Sequence, residues 1–224
     1  MTSVISRSAS KLRKFAKSIR GNVSGLAVIE FAYSLPFFTL VGLGGIEMTN
    51  LANTNMRISQ AALALADNMS RVGLESALSS VQIRESDVND GLIGLQRQTD
   101  GLNLTANGRV ILSSLEQNTE GGQWIHWQRC LGNAAIAAPR YGTQGTGATG
   151  TAFLGMGAAT ARVTAPTGTA VMFVEIVYTY QPLVAGMFMR NRTIRQEASF
   201  VIRDPRDLTQ IYNPNPAATV ATCT

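Results

Sequence analysis

One histidine, His126, and two cysteines, Cys130 and Cys223, limit the chemistry open to this chain. A two-histidine metal site is impossible, and a Ser-His-Asp relay would have to run through His126. That residue lies between Trp124 and Trp127 in a strand-like stretch, the setting of a structural histidine. No G-x-S-x-G elbow and no G-x-x-x-x-G-K-S/T phosphate loop occurs. "GTGATG", at 145–150, has the glycine spacing of a dinucleotide loop, but no strand precedes it and no helix follows, so it reads as a glycine-rich loop. "ESDVNDG" imitates a calcium loop with its glycine one position late and Gln96 where a bidentate acid belongs. Glu175 sits among apolar neighbours, and pairing with Arg195 on the next strand is a simpler role for it than general acid catalysis. The expectation is a chain that is not an enzyme, with no cofactor, metal or small-molecule substrate.

The acid that calls for an explanation is Glu30. It sits near the start of "GLAVIEFAYSLPFFTLVGLGG", residues 25–45, and 31–46 carries no charge. Counted from 26 to 48, the stretch has the roughly 20 residues of a membrane-spanning helix, where a central charge costs about 3 kcal/mol. Ahead of it, residues 1–24 hold Arg7, Lys11, Arg13, Lys14, Lys17 and Arg20 and no acid, while the remainder is near neutral in a chain of net charge +5. Directly before an apolar span, that arm follows the positive-inside bias and faces anionic lipid, which is preferred to nucleic acid as its partner. Pro36 kinks such a helix without forbidding it.

Three fates fit the segment. It is a secretory signal cut after Gly42-Leu43-Gly44, a permanent anchor, or a helix freed by cleavage between Gly25 and Leu26. The third explains the acid. Leu26 would gain a charged α-amine, and Glu30 would favour the positive end of the helix and pair with the terminal amine of a stacked copy. If the body is exported, a Cys130–Cys223 disulfide is the economical use of the cysteines.

Gly25, "LAVI", then Glu30-Phe31 resembles the processing site of the Flp/Tad branch of type IV pilins. The ordered set Ile29-Glu30-Phe31-Ala32, Leu35-Pro36 and Ile46-Glu47 is similar to the N-terminal region of TadE/TadG-like pilus assembly proteins, over roughly residues 21–72. Tyr33-Ser34 and Thr39 depart from that pattern, being more polar than usual in the span. The resemblance implies a minor pilin or pseudopilin in the bacterial inner membrane, N-terminus cytoplasmic and head periplasmic, assisting assembly of an adhesion pilus. Its implied partners are other pilins and Tad assembly proteins, a prepilin peptidase cutting at Gly25 and Leu26, and an assembly ATPase. Glu30 and Phe31 would set assembly register. The alternative is a signal-anchored or secreted periplasmic enzyme or ligand-binding protein.

The expected fold is α+β: a basic leader (1–25), a transmembrane helix continuing into an extended helix (26–72), and a pilin-like head with an antiparallel sheet (73–224). Leu51, Ile58, Ala62, Leu65, Met69 and Val72 make a heptad-like stripe, open to packing either on the chain's own head or on another helix. The whole helix would run about 70 Å. A short helix capped by Ser86 or Asp87 would carry Val88, Leu92 and Leu95. Strands are expected at 109–115, 123–130, 171–180 and 193–203. The connection 181–192 reads as an apolar tip that tucks back on the sheet. Residues 139–168, rich in Gly, Thr and Ala, read as irregular surface structure, and the tail is loose unless Cys223 pins it.

Overall fold

The computed structural model describes residues 14, 17, 18, 25–73, 80–184 and 192–223. Its elements are α1 (Leu26–Arg71), α2 (Glu85–Gln98), α3 (Leu104–Asn107), β1 (Gly108–Gln117), β2 (Gln123–Gly132), β3 (Ala170–Thr179) and β4 (Thr193–Val201). The chain divides into two units, Met1–Thr49 and Asn50–Thr224, with the boundary inside α1.

α1 is one helix of 46 residues with Pro36 inside it. Pro36 leaves the helix one N–H short. Nearby hydroxyls bond back to the backbone: Ser34 Oγ donates to the Phe31 carbonyl at 3.1 Å and Thr39 Oγ1 to the Leu35 carbonyl at 2.8 Å. Such local bonds let polar side chains ride on an apolar helix at little cost. This is the helix among the described residues that is long and apolar enough to cross a membrane.

In the second unit, four antiparallel strands form one sheet in the order β2-β1-β3-β4. Alternation sends Val110, Leu112, Met172, Val174, Ile176, Tyr178, Ile194 and Ala198 to one face, where they meet Ile58, Ala62, Leu65 and Met69 of α1 and Val88, Leu92 and Leu95 of α2. The stripe on α1 therefore packs on the chain's own head. α2 begins after Arg84 rather than at a Ser86 or Asp87 cap. Asp87 instead reaches back, accepting the Arg84 backbone N–H at 2.9 Å and the Arg84 guanidinium at 2.7 Å.

Residues 139–168 are irregular, yet they cover the opposite face of the sheet. Met156 and Ala165 are buried with Leu115, Ile125, Val171 and Phe173, and Tyr141, Phe153 and Val163 pack beside them. A glycine-rich segment does this because Gly147 and Gly155, both at positive φ, approach other backbone closely: an added Cβ would meet the Gln123 and Val163 carbonyls at 2.2 Å. The tail is tied down by a Cys130–Cys223 disulfide and by the Cys130 N–H donating to the Ala221 carbonyl at 2.8 Å. The apolar tip expected within 181–192 falls largely on 185–191, outside the described residues.

The two borders of the sheet differ. β2 is sealed by its own chain: the Ile125 N–H donates to the Thr146 carbonyl at 2.9 Å and the Gly145 N–H returns to Ile125 at 2.8 Å. In β4 the even-numbered residues bond β3, as the flanking Tyr180–Arg192 and Ala170–Ile202 pairs show, so Thr193, Arg195, Glu197, Ser199 and Val201 point their backbone groups outward. No described backbone group bonds them.

Candidate functional site

The N-terminal part of α1 is exposed all round. Leu26, Val28 and Ile29 are exposed, Phe31 is 62% exposed, Tyr33 is 82% exposed, and Phe37, Phe38, Leu40 and Val41 follow. A helix start whose apolar side chains are exposed on every side among the described residues has the surface of a segment made for lipid or for other helices. Gly25 immediately precedes the helix, and no described atom lies within 4 Å of where a Cβ there would sit. Glu30 is the fifth residue of α1 and exposed; its side chain makes no hydrogen bond or ion pair among the described residues. Gly25, Leu26, Glu30 and Phe31 thus lie within about two turns of one another at a helix start. The arrangement can present a peptide bond for cleavage and hold one carboxylate near the positive end of the helix.

The head keeps its own ionisable groups largely occupied. Glu175 lies directly opposite Glu197 across β3 and β4 and is fully buried. Arg195 Nη1 reaches Glu175 Oε2 at 3.5 Å, while Oε1 has no hydrogen-bond partner. Burial first, then the neighbouring Glu197, pushes the Glu175 carboxyl up to about 7, with Arg195 and Arg140 pulling the other way. Tyr141 donates its hydroxyl to Glu197 at 2.8 Å; burial and that bond raise the phenol to about 12. The expected Glu175–Arg195 pair is therefore present but loose, and Glu197 and Tyr141 complete a cluster that no sequence spacing reveals. A general acid must reach its substrate, and Glu175 has no exposed surface.

His126 faces Glu116, with Nδ1 2.9 Å from Oε2, and its ring stacks on Trp124 at 4.0 Å between centroids. Ser114 donates its hydroxyl to the other Glu116 oxygen at 2.7 Å. The carboxylate sits between serine and histidine, so the imidazole does not touch the hydroxyl it would have to activate in a nucleophilic relay. A register shift between Ser114 and Leu115 brings these groups onto one face, a bulge that alternation alone does not disclose. Arg129 and Glu85 form a buried ion pair joining β2 to α2. Arg206 donates to the carbonyls of Met69 at 3.0 Å and Val72 at 2.6 Å, closing the C-terminal end of α1. No group of three metal-ligating side chains occurs among the described residues.

The chain matches no protein-family model, no curated protein and no solved structure. What its residues can do therefore rests on their own chemistry. In those terms the exposed apolar helix with its carboxylate is the feature left without a partner inside the described chain, whereas the polar clusters of the head are mostly satisfied within it.

Proposed function

We propose that this chain is a pilin-like structural subunit, a minor pilin or pseudopilin assisting assembly of a Flp/Tad-type adhesion pilus. It is held in the bacterial inner membrane by the first half of α1, with the basic arm in the cytoplasm and the head in the periplasm. The single observation that carries this reading is the exposed apolar start of α1 with Glu30, whose side chain has no partner among the described residues, embedded in it. A lone carboxylate in lipid is penalised, and a terminal amine on a neighbouring helix removes the penalty while fixing the stagger between copies. Cleavage after Gly25 by a prepilin peptidase supplies that amine. Other pilins, Tad assembly proteins and an assembly ATPase are the remaining partners of the proposal. The resemblance of 21–72 to TadE/TadG-like proteins agrees with it.

N-terminal sequencing of the mature protein is the first test, and a start at Leu26 is expected. An intact leader would identify a permanent anchor, and a start near Gly45 ordinary secretion. Glu30→Ala should be made and inserted normally yet abolish piliation. Full piliation with the neutral side chain would remove Glu30 from the assembly role.

A further inference from the structure

β4 uses only one side of its backbone. Its even-numbered residues bond β3, and the N–H and C=O groups of Thr193, Arg195, Glu197 and Ser199 point the other way, with no described backbone group on them. A row of donors and acceptors at ladder spacing is a template for one more strand. The usual protections of such an edge are missing. β4 is nine residues long, holds no proline or lysine, and pairs with β3 without a register shift.

A cavity of about 260 Å³ opens where β4 begins, between Leu51 and Asn55 of α1 and residues 192–196. Its lining holds Arg192 and Arg195 and no acidic side chain. Arg192 is exposed, and its guanidinium has no ion pair among the described residues. Gln196 Nε2 donates to Asn55 Oδ1 at 2.6 Å, which leaves the Asn55 amide nitrogen to donate to a newcomer. A guanidinium and an amide N–H at one cavity suit a carboxylate. Alternation puts Ala198 and Phe200 on the same face as Arg192, so further along β4 that face turns apolar. The basic and apolar ends, Arg192 and Phe200, are about 27 Å apart.

We propose that β4 is a docking edge for an extended segment of a partner protein, added antiparallel as a fifth strand, acidic where it passes Arg192 and apolar where it passes Phe200. Backbone bonds to the odd-numbered residues of β4 attach the segment whatever its sequence, and Arg192 with Asn55 selects the acidic end and so fixes direction. The surface lies wholly within Asn50–Thr224 and does not depend on the fate of the leader or on the membrane reading of α1. A second copy of β4 answers it less well. Laid antiparallel with Arg195 opposite Glu197, the copy sets Phe200 opposite Arg192 and brings the cavity no acid there.

The test uses the full chain in micelles of an uncharged detergent, with the Cys130–Cys223 disulfide kept oxidised. The probe is the fluorescent peptide VTVTQTETE with both ends blocked, whose glutamates pass Ile194 and Arg192 in the antiparallel register. Fluorescence anisotropy should show it binding about tenfold more tightly than VTVTQTKTK, the gain of one charge-assisted contact. Arg192→Glu, an exposed position, should reverse that order. The same peptide N-methylated at its four threonines should not bind. In hydrogen exchange, the bound peptide should protect the amides of Thr193, Arg195, Glu197 and Ser199. Equal binding of the two charged peptides overturns the role of Arg192. Equal binding of the methylated peptide, or no protection of those four amides, overturns strand addition. No binding of any peptide overturns the docking edge. A protein already dimeric in sedimentation, with the four amides protected before peptide is added, places a second copy on β4 and overturns the acidic partner.

Discussion

Glu175 is a fully buried residue of the head whose protonation is coupled to folding. Its carboxyl is raised from an ordinary 4.5 to about 7, so the folded state holds a proton that the unfolded chain releases. Stability from this group is complete below about pH 4.5, falls as pH rises towards 7, and stays reduced above it. Glu175→Gln keeps the shape and removes the charge. It should flatten the pH dependence of thermal unfolding between pH 5 and 8 and gain on the order of 3 kcal/mol at pH 8. An unchanged slope would mean that the Glu175 carboxyl is not raised in the folded head. Glu30 presents the opposite case. Its difficulty is not cured within the described chain, which is why its effect should appear in assembly and not in the stability of the head.

The elements divide into those that declare themselves and those that do not. β4 is legible from two-residue alternation, whereas β1 and β3, buried along both faces, are legible only as short β-branched and apolar runs; the expected bounds of all four strands fall within a few residues of those observed. α1 is legible from its charge gap and apolar length. Its second half carries a stripe with two physical meanings, since a helix face that suits a partner helix also suits a sheet. Residues 139–168 lack any period, so nothing in their pattern announces that they bury Met156 and Ala165. The His126–Glu116–Ser114 contact depends on a bulge, and the Arg206 cap joins positions 134 and 137 residues apart in sequence. Neither leaves a local signature. The candidate site at Gly25, Leu26, Glu30 and Phe31 is legible because it is short and contiguous. At this scale, Arg206→Leu should leave the Met69 and Val72 carbonyls short of a donor. A loss of about 1–3 kcal/mol is expected in chemical denaturation, with the helix frayed near Arg71 in hydrogen exchange.

The chain divides into two units, Met1–Thr49 and Asn50–Thr224, and the larger apolar cluster lies within the second. Because the core cluster draws its helical share from Leu51 onward, a chain beginning at Asn50 should fold, form the Cys130–Cys223 disulfide and stay in aqueous solution without detergent. The full chain should partition into the detergent phase. Sedimentation and circular dichroism on the two chains check this. An insoluble shortened chain would show that the apolar start of α1 takes part in the packing of the head.

The sheet has one hemmed border and one raw one. Any lateral enlargement, by a neighbour's strand or by unwanted stacking at high concentration, must begin along β4, because loop and tail already occupy the β2 side. A helical tag or rigid fusion partner is therefore best kept away from Thr193–Val201. Proline at Ser199, whose amide faces outward, would blunt that border without removing a rung between β3 and β4.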